Sequence, residues 1–244
     1  NNLILENQCF QQIKGIPEIK GSATDSINIG SNAFNSAGIG RIEFHASKHI
    51  NVGDSCFKQI SISKDISLFS DGTIDVKFES FKDTSANLVH VESKNNIDIG
   101  QRAFDSCNHV TTLQIQSNSG GVAVGYSAFQ FATLYQVELK THDNLILNGR
   151  SMQNVNNFYQ ITFETKGNFN ATYQSFINTS ITQLCVICDG IATFHQQTFQ
   201  QTRDLYNLTV LANKRIEFQY QSFYYSFIGT MILISNGTIH FDQQ

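Results

Sequence analysis

The sequence predicts an all-β chain: a parallel β-solenoid of about ten stacked coils with no regular helices. Three observations carry that expectation. A phenylalanine returns every 23 to 25 residues, at Phe10, Phe34, Phe57, Phe81, Phe104, Phe129, Phe176, Phe199 and Phe223, with Met152 filling the remaining position of the series. Short period-two alternations of apolar and polar residues flank these anchors. The 244 residues contain one proline, Pro17, as suits a chain whose N–H groups mostly enter ladders. A repeat array is quasi-one-dimensional, so residues 1–244 read as a single repeat-array domain.

The first element of each unit lies upstream of the anchor, for example Ile27-Asn28-Ile29, Ile50-Asn51-Val52 and Ile97-Asp98-Ile99. Alternation turns the apolar side chains inward and the polar ones outward. Glycine follows in four units, at Gly30, Gly53, Gly100 and Gly125, and is expected to mark a turn with positive φ. The residue before the anchor is small throughout, as at Ala33, Ser80 and Thr198, which suits a crowded corner. A second alternation follows the anchor, as in Ile42-Glu43-Phe44, Leu113-Gln114-Ile115 and Met231-Ile232-Leu233. Each coil therefore holds two strands joined by corners. Coils stacked at about 4.8 Å make a rod of roughly 50 Å.

The unit Ile97-Asp98-Ile99-Gly100-Gln101-Arg102-Ala103-Phe104-Asp105-Ser106-Cys107-Asn108-His109-Val110-Thr111-Thr112-Leu113-Gln114-Ile115 resembles a BspA-type leucine-rich repeat, I-x-I-G-x-x-A-F-x-x-C-x-x-L-x-x-I-x-I. The units at Phe34, Phe104 and Phe129 follow the pattern strictly and the others loosely. The resemblance implies a curved, leucine-rich-repeat-like parallel solenoid, used at the cell surface or outside the cell in adhesion and binding.

Composition narrows the function. With 15% charged residues and a formal net charge of −4, the chain offers no footprint for nucleic acid, and no apolar run is long enough for a membrane span. No cofactor is expected. Of the five cysteines, Cys9 and Cys56 share a register two coils apart, near 9–10 Å, too far for a disulfide. Cys107 falls at a small apolar core position, and the single Cys-x-x-Cys of Cys185 and Cys188 has no second pair to complete a zinc site. All are expected to be buried or inert thiols. No carboxylate column spans three successive coils and no nucleophile has an oriented base, so no catalytic residues are assigned and the chain is expected not to be an enzyme.

Candidate interaction residues lie elsewhere. Along the outward positions of the second strand, polar residues such as Glu43, His45, Gln116 and Lys140 give way to Cys185, Ile187, Leu211, Ile232 and Ile234. Stacked in register, these form an exposed apolar stripe fit for a partner. Pairing slipped by one residue, or a covering loop, would instead hide them. The terminal strands, Leu3-Ile4-Leu5 and Ile239-His240-Phe241, lack the atypical look of capping units. They are candidate end-pairing strands, either in a longer array of which this is a segment or head to tail between copies, a contact that builds filaments. Four Asn-x-Ser/Thr sequons, at Asn170, Asn178, Asn207 and Asn236, fall on outward or loop positions and are candidate N-glycosylation sites. The expected role is a non-catalytic structural solenoid of a surface or extracellular assembly, partnered by proteins or by copies of itself. The alternative is an adhesin-like module recognising a protein or glycan through its outer sheet face.

Overall fold

A computed structural model describes residues 1–156 and 158–243. None of these residues is helical, and their strands form two parallel sheets, of eleven and of thirteen strands. Each pairing joins residues one coil apart, as in Ile27↔Ile50, Ile97↔Val122 and Leu113↔Val137. The predicted solenoid is therefore observed, and its two sheets arise from the two alternations of each unit. One sheet runs from the strand Leu3–Leu5 to the strand Thr238–Phe241.

The second sheet changes along the axis. In the first three coils its strands are broken in two: Lys14–Ile16 and Ile19–Ala23, Gly38–Ile39 and Ile42–Ala46, Ser61–Ile62 and Asp65–Ser70. From Ser85–Ser93 onward each is one continuous strand. The break starts at Pro17, which has no N–H to donate. Gly40 lies so close to it that a Cβ there would stand 2.1 Å from the Pro17 carbonyl oxygen.

The corners correct one expectation. Gly30, Gly53, Gly100 and Gly125 do not have positive φ. A Cβ at Gly53 would stand 2.7 Å from the Ile29 carbonyl oxygen, so these glycines serve close coil-to-coil approach. Left-handed residues stand two before and two after each anchor, for example Gln8 and Gln12, Glu79 and Asp83, Gln221 and Tyr225, with φ between 51° and 61°, and Asp204 is one more outside this pattern. This alternation points every second N–H along the axis. Gln8, Phe10 and Gln12 donate to the carbonyls of Ser31, Ala33 and Asn35 in the next coil, while Cys9 and Gln11 donate within their own turn. The corner thus continues the ladder, satisfying backbone groups that a loop would leave to water.

Inside, the anchors stack. Ring centroids from Phe10 to Phe129 follow one another at 4.9 to 5.3 Å. Met152 interrupts the column, which resumes at Phe176, Phe199 and Phe223 with spacings of 5.1 and 5.4 Å. A second column, Phe194, Phe218 and Phe241, forms where the first sheet of the last coils places aromatics inward. Each fully buried ring contributes about 1.5–3 kcal/mol. From Ala33 onward the small residue before the anchor is buried. At Ser80 and Thr198 its hydroxyl returns to the backbone: Ser80 Oγ donates to the Lys77 carbonyl at 2.8 Å and Thr198 Oγ1 to the His195 carbonyl at 2.6 Å, whereas the buried Ser151 Oγ has no partner among the described residues.

Candidate functional site

The outer face of the second sheet carries one ladder over nine coils. Its register runs His45↔Phe69↔Glu92↔Gln116↔Lys140↔Glu164↔Ile187↔Leu211↔Ile234. Beside it run Cys185↔Thr209↔Ile232. The pairing is not slipped: Leu184, Val186, Leu208 and Val210 are the buried neighbours, and Ile187, Leu211, Ile232 and Ile234 face outward. Exposure rises toward the end of the stack, to 47% at Ile232 and 58% at Ile234. Ile187 and Leu211 are half-buried.

The polar part of this ladder is satisfied within itself. Lys140 Nζ lies 2.8 Å from a Glu138 carboxylate oxygen and 3.8 Å from one of Glu164. The Glu138 hydrogen bond, with both nearby carboxylates, holds the Lys140 ammonium above its ordinary pKa. His45 pairs with Glu43 at 3.0 Å, and its ring stacks on Phe69 at 4.6 Å. His90 meets the other side of Phe69 edge-on at 5.1 Å. Burial lowers the His90 pKa against the pull of Glu92, which favours the neutral ring. His45, Phe69, Glu92 and Asn118 line an open groove of about 710 Å³.

A second network, which sequence reasoning missed, lies at the anchor corner. Glu79 accepts from Lys58 at 3.0 Å and Lys82 at 3.2 Å, and Arg102 Nη1 lies 3.4 Å from it. Asp105, almost fully buried, takes Arg102 Nε at 2.8 Å and Lys82 at 3.3 Å. Burial raises the Glu79 pKa, but the hydrogen bonds from Lys58 and Lys82 outweigh it and hold the carboxyl below its ordinary value. Four coils further on, the same positions hold amides: Arg150 Nε donates to Gln174, Gln174 donates to Gln197 and Gln200, and Gln197 to Gln221, at 2.8 to 3.1 Å. The signal was present in the sequence as residues two before and one after each anchor, but only the left-handed turn shows that these columns meet.

The remaining candidates are placed as follows. Leu3–Leu5 and Thr238–Phe241 are the edge strands of the first sheet, each paired on one side among the described residues. Beside the latter, Met231, Ile239 and Phe241 are exposed at 36%, 42% and 44%. Asn207 and Asn236 are exposed, Asn170 is half-buried on a strand, and Asn178 is half-buried with its amide donated to Asn154 Oδ1 at 2.8 Å. All five cysteines are free. Cys56, Cys107 and Cys188 are buried, Cys9 is exposed, and Cys185 sits half-buried on the outer face where the alternation places it. Burial pushes the Cys188 thiol up to about 11, and the Cys56 and Cys107 thiols also rise. Among the described residues, no three His, Cys, Asp or Glu side chains are grouped to hold a metal, and no helix is long and apolar enough to cross a membrane.

Comparison with known proteins agrees with this architecture. The family model described as "BspA type Leucine rich repeat region" matches residues 1–111 and 75–206, in 6 copies. No curated protein and no solved structure matches the chain.

Proposed function

The chain belongs to the BspA-type leucine-rich repeat family, and from that premise we propose that it is a non-catalytic scaffold of a surface or extracellular assembly, docking copies of itself through the apolar outer face of its last coils. The family is generally associated with the cell surface, and solenoids of its kind are typically not enzymes. One observation carries the reading: the in-register ladder Ile187–Leu211–Ile234, with Ile232 beside it, on a face that is polar in earlier coils. An exposed apolar patch of this kind is a usual mark of a partner surface. A second copy is the occupant proposed because the same apolar ladder on two copies makes a self-complementary contact.

Sedimentation velocity over a range of concentrations tests it. The chain should associate, and the double variant Ile232→Glu, Ile234→Glu should stay monomeric with an unchanged circular dichroism spectrum. A wild type that remains monomeric throughout would sink the reading. Secretion adds a second expectation: Asn207 and Asn236 present exposed amides and should be glycosylated before Asn170 and Asn178 in a secretory host, as intact mass would reveal.

The second reading is an adhesin-like module that takes a protein or glycan through the outer sheet face. The groove at His45, Phe69 and Glu92 favours it. In that case Phe69→Ala abolishes binding and Ile234→Glu spares it.

A further inference from the structure

All eight tyrosines of the chain lie between positions 126 and 225, and all are exposed, although the core is rich in phenylalanine. Three form a row. Tyr126, Tyr173 and Tyr220 each stand three residues before their anchors, in every second coil, exposed at 45%, 46% and 43%. Phe78 continues the row at the same register, exposed at 41%. The next residue in each of the three tyrosine coils, Ser127, Gln174 or Gln221, is left-handed, which fixes the direction in which the ring leaves the corner. The intervening coils place Gln101, Gly149 and Gln196 there, so no ring fills the gaps. A Cβ on Gly149 would stand 3.7 Å from a carbon of the Tyr126 ring, so that ring lies against the backbone of the next coil.

We propose that this row is a binding track for an extended, uncharged β-1,4-linked glycan lying along the solenoid axis. Two coils separate successive rings by roughly 10 Å. An extended β-1,4 chain turns the same sugar face outward at each disaccharide, a repeat close to that spacing. Aromatic rings offer a flat apolar surface with a polar tip, suited to the C–H face of a sugar and its hydroxyls. The amide chain Gln174–Gln197–Gln221 runs alongside, supplying donors and acceptors without charge. The neighbouring Arg150 is bonded to Gln174 Oε1, leaving the stretch without a strong call for an anionic polymer. A protein partner fits less well, because rings separated by a coil and by amides give no contiguous dry centre of the sort that anchors protein interfaces.

The site is separate from the apolar sheet face and stands or falls independently of it. Isothermal titration of the full chain with the disaccharides and hexasaccharides of β-1,4-linked glucose and N-acetylglucosamine tests it, with an α-1,4-linked hexasaccharide as control. A β-linked hexasaccharide should bind more tightly than its disaccharide. Tyr173→Ala and Tyr220→Ala should each weaken binding roughly three- to ten-fold. Tyr135→Ala, whose ring stacks on Tyr159 at 4.9 Å off the row, should leave it unchanged. The proposal is overturned if no β-linked oligosaccharide binds, if the α-linked chain binds equally well, or if removing Tyr173 and Tyr220 changes nothing. A protein that needs these rings, with no glycan bound, would overturn it as well.

Discussion

Around Phe81 the corner holds Glu79, Lys82 and, one coil on, Arg102 and Asp105, a compact ionic cluster; around Phe199 the same positions hold Gln197, Gln200 and Gln221, joined amide to amide. The outer sheet face divides similarly, with Glu92, Gln116 and Lys140 in the earlier coils and Ile187, Leu211 and Ile234 in the later ones. Beneath both regions the same ring column runs at nearly the same spacing. The contrast teaches where selection for stacking acts. Inward positions must match the coil above and below, while outward positions need only avoid breaking the ladder. The surface can therefore vary along the rod, and specific recognition has room to develop where the outward residues change character.

The largest effect should come from the shared core. Phe104→Ala removes a ring stacked on both sides and should cost about 3–5 kcal/mol in urea unfolding. A similar loss from Phe199→Ala would confirm that the two regions share one kind of core, and a much smaller one would break that half of the comparison. Next is Asp105→Ala, which leaves Lys82 and Arg102 without their buried acceptor and should cost about 2–3 kcal/mol.

The pH dependence of Glu79 sharpens the difference between the corners. Its folded pKa lies below its ordinary value of 4.5. The stability it contributes is thus complete above that value and is lost as pH falls through the folded one. The urea midpoints of wild type and Glu79→Gln should differ at pH 7 and converge in acid. The amide corner should show no such convergence: Gln197→Ala should cost about 1 kcal/mol at either pH, because Gln174 keeps its bond to Gln200. Smallest of all, Ile234→Glu should change stability by less than about 0.5 kcal/mol, since the side chain is mostly exposed.

Much of the fold was legible in the sequence. The recurring phenylalanine located the coils, and the two alternations located both sheets, because period two fixes which side chains point inward. Ile187, Leu211, Ile232 and Ile234 were placed outward for the same reason. What the sequence hid was backbone chemistry at the corner. Left-handed φ at the corners falls on Gln, Ser, Asn, Arg, Glu, Asp, Phe and Tyr rather than on glycine, so no residue type announced it. Without that turn, Glu79, Lys82 and Asp105 read as scattered surface charges, and Tyr126, Tyr173 and Tyr220 as unrelated loop residues.

Hydroxyl-radical footprinting of the purified chain at low and high concentration tests the central claim most directly, that the later outer face is the contact surface. Concentration should protect Ile187, Leu211, Ile232 and Ile234 while Phe69 and Lys140 stay equally reactive. Unchanged labelling of the isoleucine ladder, or equal protection along the whole face, would contradict the account.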